Sequence, residues 1–232
     1  MTYAVGDIHG RRDLLDQMID EIEADADGAQ GDLVFLGDYI DRGPDSAAVL
    51  KRLYRLELGN LTVTCLMGNH ERMFLSFLED PARGELWLRN GGLETIADFG
   101  PARRTSVNGQ SPMETLRDQL QEVIGTDMLD WLRALPLSFL SGNMGCLHAM
   151  ADPTRAWEDQ EERMLLWGRP SPNSAPRPDG IWLVHGHTIV DAAEIGPGRI
   201  SVDTGAYRSG VLSAVRCDGA TARILTVRGV AQ

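Results

Sequence analysis

The fold is decided by the stretch TYAVGDIHG, residues 2–10, in which a short apolar strand passes directly into a Gly-Asp-x-His-Gly motif. Two further stretches repeat this arrangement, LVFLGDYIDRG at residues 33–43 and LTVTCLMGNHE at residues 61–71. Apolar residues recur at helical spacing in both intervening segments, from Leu14 to Ile22 and from Ser46, a candidate N-cap, to Leu56. The order strand, helix, strand, helix, strand predicts a parallel sheet, with ligands at the carboxyl ends of its strands.

Residues 71–140 have a different pattern from the opening of the chain. Apolar stripes such as Leu116, Leu120 and Val123 predict mostly helical structure, with a Gly/Pro/Ser/Asn-rich break near residues 100–112. We expect the segment 75–140 to be a helical, lid-like insertion within one domain that covers residues 1–232. Short strands follow at 145–149, 181–184, 199–203, 211–216 and 222–228, and we expect them to form a second, mixed or antiparallel sheet.

Composition and charge limit the classes of function. Hydrophobic residues make up 43% of the chain and charged residues 24%, which is typical of a soluble globular protein. The sequence contains no run of 18 apolar residues, so we expect no membrane span. The first strand begins at residue 2, which leaves no room for a signal peptide, and Cys65, Cys146 and Cys217 form no CxxC pair, so we expect a cytoplasmic protein with reduced thiols. A net charge of −12 disfavours nucleic-acid binding, and a phosphate site would need local positive charge, for which metal ions are a source.

Every histidine of the chain lies in a short motif next to a predicted strand: GDIHG (6–10), GNHE (68–71), LHA (147–149) or HGHT (185–188). Taken singly, an Asp-x-His pair is often incidental, a histidine in an apolar strand is more often structural, and the acids and arginine of residues 37–43 also suit a solvated turn. Taken together, the aspartate, asparagine and histidine side chains form a nitrogen and oxygen ligand set without thiolate. Such a set suits Mn²⁺, Fe or Zn²⁺ rather than Ca²⁺.

GDIHG, GDYIDRG, GNHE, the later His148 and the GHT of residues 186–188 resemble motifs of the calcineurin-like metallophosphoesterase superfamily, in its phosphoprotein phosphatase branch. The chain is similar to the small bacterial and phage serine/threonine protein phosphatases, and symmetrical diadenosine tetraphosphate hydrolases share the same motifs. Residues 87–92 with Thr95, residues 166–169 and residues 202–206 also match bacterial members. The resemblance implies an α/β metallophosphatase fold, in which two mixed β-sheets pack as a sandwich flanked by helices.

The resemblance also implies roles for individual residues. Two divalent metal ions, with Mn²⁺ favoured over Fe and Zn²⁺, would be held by six residues, of which Asp38 bridges both ions: Asp7, His9, Asp38, Asn69, His148 and His187. His70 would be the general acid and Asp41 would orient it. Arg42 would take part in catalysis and bind substrate phosphate oxygens, together with Arg169 and Asn69.

The last motif departs from many relatives, which end in GHxH and use the second histidine as a ligand. Here Ile189 stands at that position, and the additional histidine, His185, comes before the motif. We expect His187 to be the ligand and His185 to lie beside the site, because histidines around a metal centre often have polar neighbours. If His185 were the ligand, this part of the resemblance would be wrong.

We therefore expect a dinuclear metal-dependent phosphomonoester hydrolase in which a metal-bridging hydroxide attacks phosphorus in line. A serine/threonine protein phosphatase, with tyrosine as a further target, is the main expectation, so the partners would be a phosphorylated protein or a small phosphoester, with no nucleic acid and no membrane. The alternative is a symmetrical diadenosine tetraphosphate hydrolase. A nuclease fits less well, since nucleases usually have GNHD and GHxH, and a non-catalytic phosphate-binding module would have no need of His70.

Overall fold

The computed structural model describes residues 1–100, 111–170, 175–219 and 221–231. Within these ranges, ten strands form two five-stranded sheets. The strands are β1 (Thr2–Val5), β2 (Gly31–Phe35), β3 (Leu61–Cys65), β4 (Ser138–Ser141), β5 (Met144–Leu147), β6 (Trp182–His185), β7 (Glu194–Gly196), β8 (Arg199–Ser201), β9 (Val211–Asp218) and β10 (Thr221–Arg228).

The first sheet contains the three parallel strands that the sequence predicts, in the order β10-β9-β1-β2-β3. The expectation that the last two strands belong to the second sheet was wrong. β9 pairs antiparallel with the free edge of β1, with Thr2 opposite Cys217, and β10 continues the sheet as a hairpin. The alternation of residues within a strand fixes which face is buried but not which distant strand is its neighbour, so the sequence pattern did not assign this edge.

The second sheet has the order β4-β5-β6-β8-β7 and is mixed, because β5, β6 and β8 run parallel while β4 and β7 run antiparallel to their neighbours. Apolar side chains from both sheets pack between them, including Val34 and Leu66 of the first sheet region and Cys146, Val184 and Ile200 of the second sheet. This arrangement confirms the predicted α/β sandwich of two mixed sheets.

Helices cover the outer face of the first sheet and form the segment between the two sheets. They are α1 (Arg12–Ala26), α2 (Ser46–Tyr54), α3 (Asn69–Glu79), α4 (Gly84–Trp87), α5 (Leu93–Phe99), α6 (Pro112–Ile124), α7 (Thr126–Arg133), α8 (Glu162–Trp167) and α9 (Ala206–Ser209). A π-turn at Leu88–Gly92 joins α4 to α5, and 3-10 turns lie at Pro81–Arg83 and Trp157–Asp159. Every helix of the described residues is too short or too polar to cross a lipid bilayer.

The helical insertion differs in detail from the expected segment 75–140. Helices α4 to α7 lie between residues 84 and 133, and β4, which begins at Ser138, already belongs to the second sheet. Most of the expected break near 100–112 lies outside the described residues, and the lid-like role and the single-domain assignment stay predictions. Ser46 is not an N-cap but the first residue of α2, preceded by Asp45 as the cap residue.

One polar cluster fastens α1 to the first sheet away from the strand ends. The Asp25 carboxylate accepts a hydrogen bond from the Tyr3 hydroxyl at 2.7 Å and is paired with Arg216 and Arg223. Burial alone would raise the pKa of Asp25, but the hydrogen bonds from Tyr3, Arg223 and Arg216 outweigh burial and lower it.

Candidate metal centre and catalytic pair

The carboxyl ends of the parallel strands of both sheets meet at one edge of the sandwich, and the loops that follow them are in backbone contact. A Cβ atom added at Gly68 would lie 2.2 Å from both the backbone nitrogen and Oδ1 of Asp38, so only glycine allows these two loops to approach so closely. Through this contact the motifs that follow β2 and β3 place their side chains at one point.

The backbone of this edge is strained at the candidate residues. Among the described residues, six that are not glycine have a positive φ, and five of them are candidate site residues: His9, Asp38, Asp41, Arg42 and His187. Their φ values lie between 45° and 72°, in the left-handed region that costs L-residues about 1 kcal/mol or more each. Such strain concentrates where the surrounding structure holds side chains in fixed directions, and that is the case here.

Two groups of donor atoms could each hold a cation, and Asp38 belongs to both. Within the described residues, the ligand atoms of His9, Asp38 and His70 lie within 4.8 Å of one another, and so do those of Asp38, His148 and His187. The two Asp38 oxygens divide between the groups, because Oδ2 lies 3.5 Å from His9 Nε2 and Oδ1 lies 3.5 Å from His148 Nε2. A carboxylate in this position can bridge two ions.

The imidazole rings are oriented by backbone carbonyls, which can only accept hydrogen bonds. His9 Nδ1 donates to Ile40 O at 2.7 Å, and His148 Nδ1 donates to Leu36 O at 3.0 Å, which leaves Nε2 of both rings free toward the centre. This is the usual arrangement of metal-binding histidines. Burial lowers the pKa of His9 and His148, so both rings are neutral near neutral pH, the form that ligates metal ions.

Asn69 joins the second group. Its Oδ1 lies 2.9 Å from His148 Nε2 and 3.1 Å from His187 Nδ1, so the three side chains surround one point. His185 points elsewhere, since its Nδ1 donates to Gly186 O and its Nε2 lies 3.1 Å from the Ser201 hydroxyl. The structure thus brings His187, and not His185, to the cluster.

Asp7 lies beside the cluster but outside both groups of donor atoms. Its carboxylate accepts hydrogen bonds from the His187 backbone nitrogen at 3.2 Å. Burial and the carboxylates of Asp203 and Asp38 raise the pKa of Asp7 well above its usual range. Three buried carboxylates so close together are costly without a counter-charge, and this need, together with the nitrogen and oxygen donor set, fits two divalent cations. The role of Asp7 as a ligand stays a prediction.

A buried pair of side chains, His70 and Asp41, lies against the first donor group. His70 Nδ1 is 2.7 Å from Asp41 Oδ2, and both side chains are buried. Burial opposes a charged imidazole, but the charges of Asp38 and Asp41 outweigh it and raise the pKa of His70. His70 is also a member of the first donor group, so its position suits either a proton donor or a ligand.

Two arginines bring positive charge to the cluster of an acidic chain. The guanidinium of Arg42 lies 3.1 Å from His9 Nε2 and 2.9 Å from His70 Nε2, and it stacks 5.0 Å from the ring centre of Tyr207. Arg169 is exposed. Burial is the main cause that lowers the pKa of His187 to about 4, and the charge of Arg169 contributes to this lowering. Both predicted phosphate-binding arginines therefore border the cluster.

Residues of the helical insertion hold Asp41 in place, a role that the sequence pattern did not reveal. Trp87 Nε1 donates to both Asp41 oxygens at 3.0 Å, and Thr95 Oγ1 donates to Asp41 Oδ1 at 2.6 Å. The Asp41 backbone nitrogen donates to Thr95 Oγ1 at 2.9 Å and to Ser46 Oγ at 3.1 Å. The only signal in the sequence was that Trp87 and Thr95 lie in a segment that also matches bacterial relatives.

Glu71, Asp203 and Tyr207 are further residues without a predicted role. The Glu71 carboxylate accepts four backbone N–H groups, one from Gly68 and three from residues 38–40, and so fixes the loop after β2. Burial and the nearby Asp38 raise the pKa of Glu71 to about 8. Burial raises the pKa of Asp203 to about 6, and Tyr207 lies edge-on to His9 with ring centres 5.4 Å apart. In the sequence, Glu71 could have been singled out by its place in the GNHE motif, and Asp203 by its place in the Val-Asp-Thr stretch after β8.

Comparison with known proteins gives a consistent picture. A profile of the calcineurin-like phosphoesterase family matches residues 2–203. The symmetrical bis(5'-nucleosyl)-tetraphosphatase of Pseudomonas fluorescens is 29% identical over 154 residues, which cover 66% of this chain and 44% of that protein. Serine/threonine-protein phosphatase 1 of Salmonella typhimurium is 40% identical over 91 residues, 39% of this chain and 38% of that protein. The chain thus spans less than half the length of these two curated relatives.

A solved structure supports the architecture. The crystal structure of a protein proposed to be a diadenosine tetraphosphatase superposes with a TM-score of 0.67, at 22% sequence identity, and covers 99% of this chain and 93% of the other. At this identity the likeness shows the fold alone.

Proposed function

The chain belongs to the calcineurin-like phosphoesterase family, and from this premise we propose that it is a dinuclear metal-dependent hydrolase that cleaves dinucleoside tetraphosphates symmetrically. The observation that carries the proposal is the shared Asp38 cluster with the buried His70–Asp41 pair and Arg42 against it. The substrate class is supported by the relatives named symmetrical bis(5'-nucleosyl)-tetraphosphatase, such as the one from Pseudomonas fluorescens, whose matches extend over more of this chain than that of the protein phosphatase.

Each side chain has a task in this proposal. Asp7, His9, Asp38, Asn69, His148 and His187 would hold two divalent ions, with Mn²⁺ as our first choice. When bound, these ions supply a water of lowered pKa and positive charge for the phosphoryl oxygens. Arg42 and Arg169 would bind phosphate oxygens with their planar donor groups.

His70 would give its proton to the leaving phosphate oxygen through Nε2, the ring atom that faces the centre. Asp41 accepts the hydrogen bond of Nδ1, holds the ring in this direction and favours the protonated form. Cleavage of the central anhydride by one water would yield two nucleoside diphosphates. Positioned proton transfer of this kind contributes about 10²–10⁴-fold to a rate.

Two variants test the assignment of these tasks. His70→Asn should lower kcat by at least about 10²-fold while the protein still binds two metal ions per chain. Asp38→Asn should lower the metal content itself, and Asp32→Asn, on β2 outside the site, serves as its control. Full turnover by the His70 variant would remove His70 from the mechanism, and full metal occupancy of the Asp38 variant would contradict its bridging role.

Serine/threonine phosphatase activity is the second candidate, favoured by the 40% identity with the Salmonella protein phosphatase. Diadenosine tetraphosphate, a phosphoserine peptide and p-nitrophenyl phosphate should be assayed side by side, with Mn²⁺, Fe²⁺, Zn²⁺ and after treatment with a chelator. We expect the highest kcat/KM for diadenosine tetraphosphate and no turnover after chelation. A higher kcat/KM for the phosphopeptide would replace the proposal by the second candidate.

A further inference from the structure

A cavity of about 470 Å³ lies between α3, the turn before α4, α4 and the end of α8. Its walls combine apolar, basic and acidic side chains, which include Arg72, Met73, Arg83, Glu85, Leu86 and Trp167. The size lies within the range of pockets that hold small organic ligands. No residue of the cavity has a task in the catalysis proposed above.

The cavity continues the candidate metal centre along α3. Arg72, Met73 and Ser76 lie three, four and seven positions after Asn69, so all four share one face of this helix. At 1.5 Å per residue, the cavity extends from about 5 to about 10 Å along the helix from Asn69. At this distance, one nucleotide could place its base in the cavity and its phosphate at the metal centre.

The opposite wall is also tied to the centre. α8 is fastened to the residues that follow His148, because the Ala149 backbone nitrogen donates to Leu165 O at 2.8 Å. Trp167 ends this helix and comes two residues before Arg169, the second predicted phosphate-binding arginine. One wall therefore belongs to the helix that carries Asn69 and His70, and the other is hydrogen-bonded to the residue that follows His148.

The chemistry of the walls selects the ligand. Trp167 has 37% of its surface exposed and Leu86 has 60%, so a flat apolar surface faces solvent beside the phosphate site. Arg72 is held by Glu162 of α8 at 2.8 Å, which stiffens the wall, and Arg83 lies 3.5 Å from Asp80, so both arginines of the cavity offer a planar guanidinium group whose charge is paired. An aromatic side chain next to arginines is suited to stacking on a nucleobase whose phosphates lie nearby.

We propose that this cavity is a nucleobase subsite, in which Trp167 stacks on one base of the dinucleotide; this inference rests on the proposed function. The polyphosphate would then run from the metal centre along the Asn69 face of α3. A flexible apolar side chain of a peptide is the competing occupant; it would also pack on Trp167, but such a site would give AMP no advantage over ribose 5-phosphate. The two occupants are separated by experiment.

The first experiment compares kcat/KM for diadenosine tetraphosphate and for p-nitrophenyl phosphate in Trp167→Ala and Trp167→Phe, with Trp182→Ala as the matched control. Trp182 is 38% exposed and lines a cavity at the opposite ends of the strands. We expect the ratio of the two kcat/KM values to fall about tenfold in Trp167→Ala, which corresponds to the lower range of base stacking, and to be largely kept in Trp167→Phe. Trp182→Ala should keep the wild-type ratio.

The second experiment isolates the base with ligands that differ only in it. AMP and ribose 5-phosphate are compared as competitors of p-nitrophenyl phosphate hydrolysis, and AMP should compete about tenfold better with the wild-type protein but not with Trp167→Ala. Equal competition by both ligands in the wild type, or an unchanged kcat/KM ratio in Trp167→Ala, overturns the subsite. If the proposed function is wrong, the wild-type protein will hydrolyse p-nitrophenyl phosphate but not diadenosine tetraphosphate. The comparison of AMP with ribose 5-phosphate tests the subsite independently of that result.

Discussion

Replacing Thr95 by valine removes one hydroxyl from the support of the His70–Asp41 pair without changing the shape of the side chain. The hydroxyl donates to Asp41 Oδ1 at 2.6 Å and accepts from the Asp41 backbone nitrogen at 2.9 Å. Both Asp41 groups keep one other partner, Trp87 Nε1 and Ser46 Oγ, so neither is left unpaired. The loss should therefore be about 1.5–3 kcal/mol of unfolding free energy, the net value of a hydrogen bond to a charged group, without the added cost of leaving a buried group unpaired.

If part of this energy holds the Asp41 carboxylate, and through it the His70 ring, in the productive direction, kcat should fall about three- to tenfold. The assay is turnover of p-nitrophenyl phosphate at saturating metal, with metal content measured by elemental analysis on the same samples. Thr115→Val is the control, because its buried hydroxyl also makes a hydrogen bond, to Ser111 O, but within α6. A kcat within twofold of wild type, or an equal loss in the control, would refute the claim that the insertion positions Asp41.

Three further changes follow from other contacts. A Cβ at Gly186 would lie 2.0 Å from Asp7 Oδ1, so Gly186→Ala should lower the metal content by elemental analysis, whereas Gly196→Ala, with its nearest contact at 3.8 Å, should not. Glu71→Gln replaces one of the carboxylate oxygens that accept four backbone N–H groups by an NH2 donor. It should lower the free energy of unfolding, measured by urea denaturation, by about 2–4 kcal/mol. The pKa of Asp25 is lowered in the folded state, so Asp25 stabilises the fold above its unfolded pKa of about 3.9. This stabilisation is lost as the pH falls through the folded pKa. Asp25→Asn should therefore lower the free energy of unfolding by about 1–2 kcal/mol near pH 7 and by much less near pH 3.

The first half of the fold could be predicted because its signals are local. Each of the first three strands is a short apolar run that ends in a glycine followed by Asp7, Asp38 or Asn69, and crossover helices separate the runs. Parallel strands with crossovers admit few arrangements, so the meeting of these side chains follows from the pattern. The later strands were recognised as strands, but β9 lies beside β1 through pairs of residues 209–215 positions apart in sequence, beyond the reach of a local pattern.

The site shows the same division. The residues with unusual chemistry, such as His148 and His187, could be found from type and spacing, and the structure brings them together with Asn69. The residues that hold Asp41 in place, Trp87 and Thr95, could not be found in this way, because a tryptophan or threonine within a helix has many structural roles. Only the fold shows that the indole N–H of Trp87, whose ring packs in the core, and the Thr95 hydroxyl both donate to Asp41.

The strained backbone of the candidate centre has a consequence for protein engineering. A screen that selects only for thermal stability should favour glycine at the left-handed positions, since glycine relieves about 1 kcal/mol or more at each. Five of those positions are the candidate site residues His9, Asp38, Asp41, Arg42 and His187, so such a screen would rank highly the substitutions that remove them. In this chain, a map of stabilising glycine substitutions would trace the outline of the active centre without any assay of turnover.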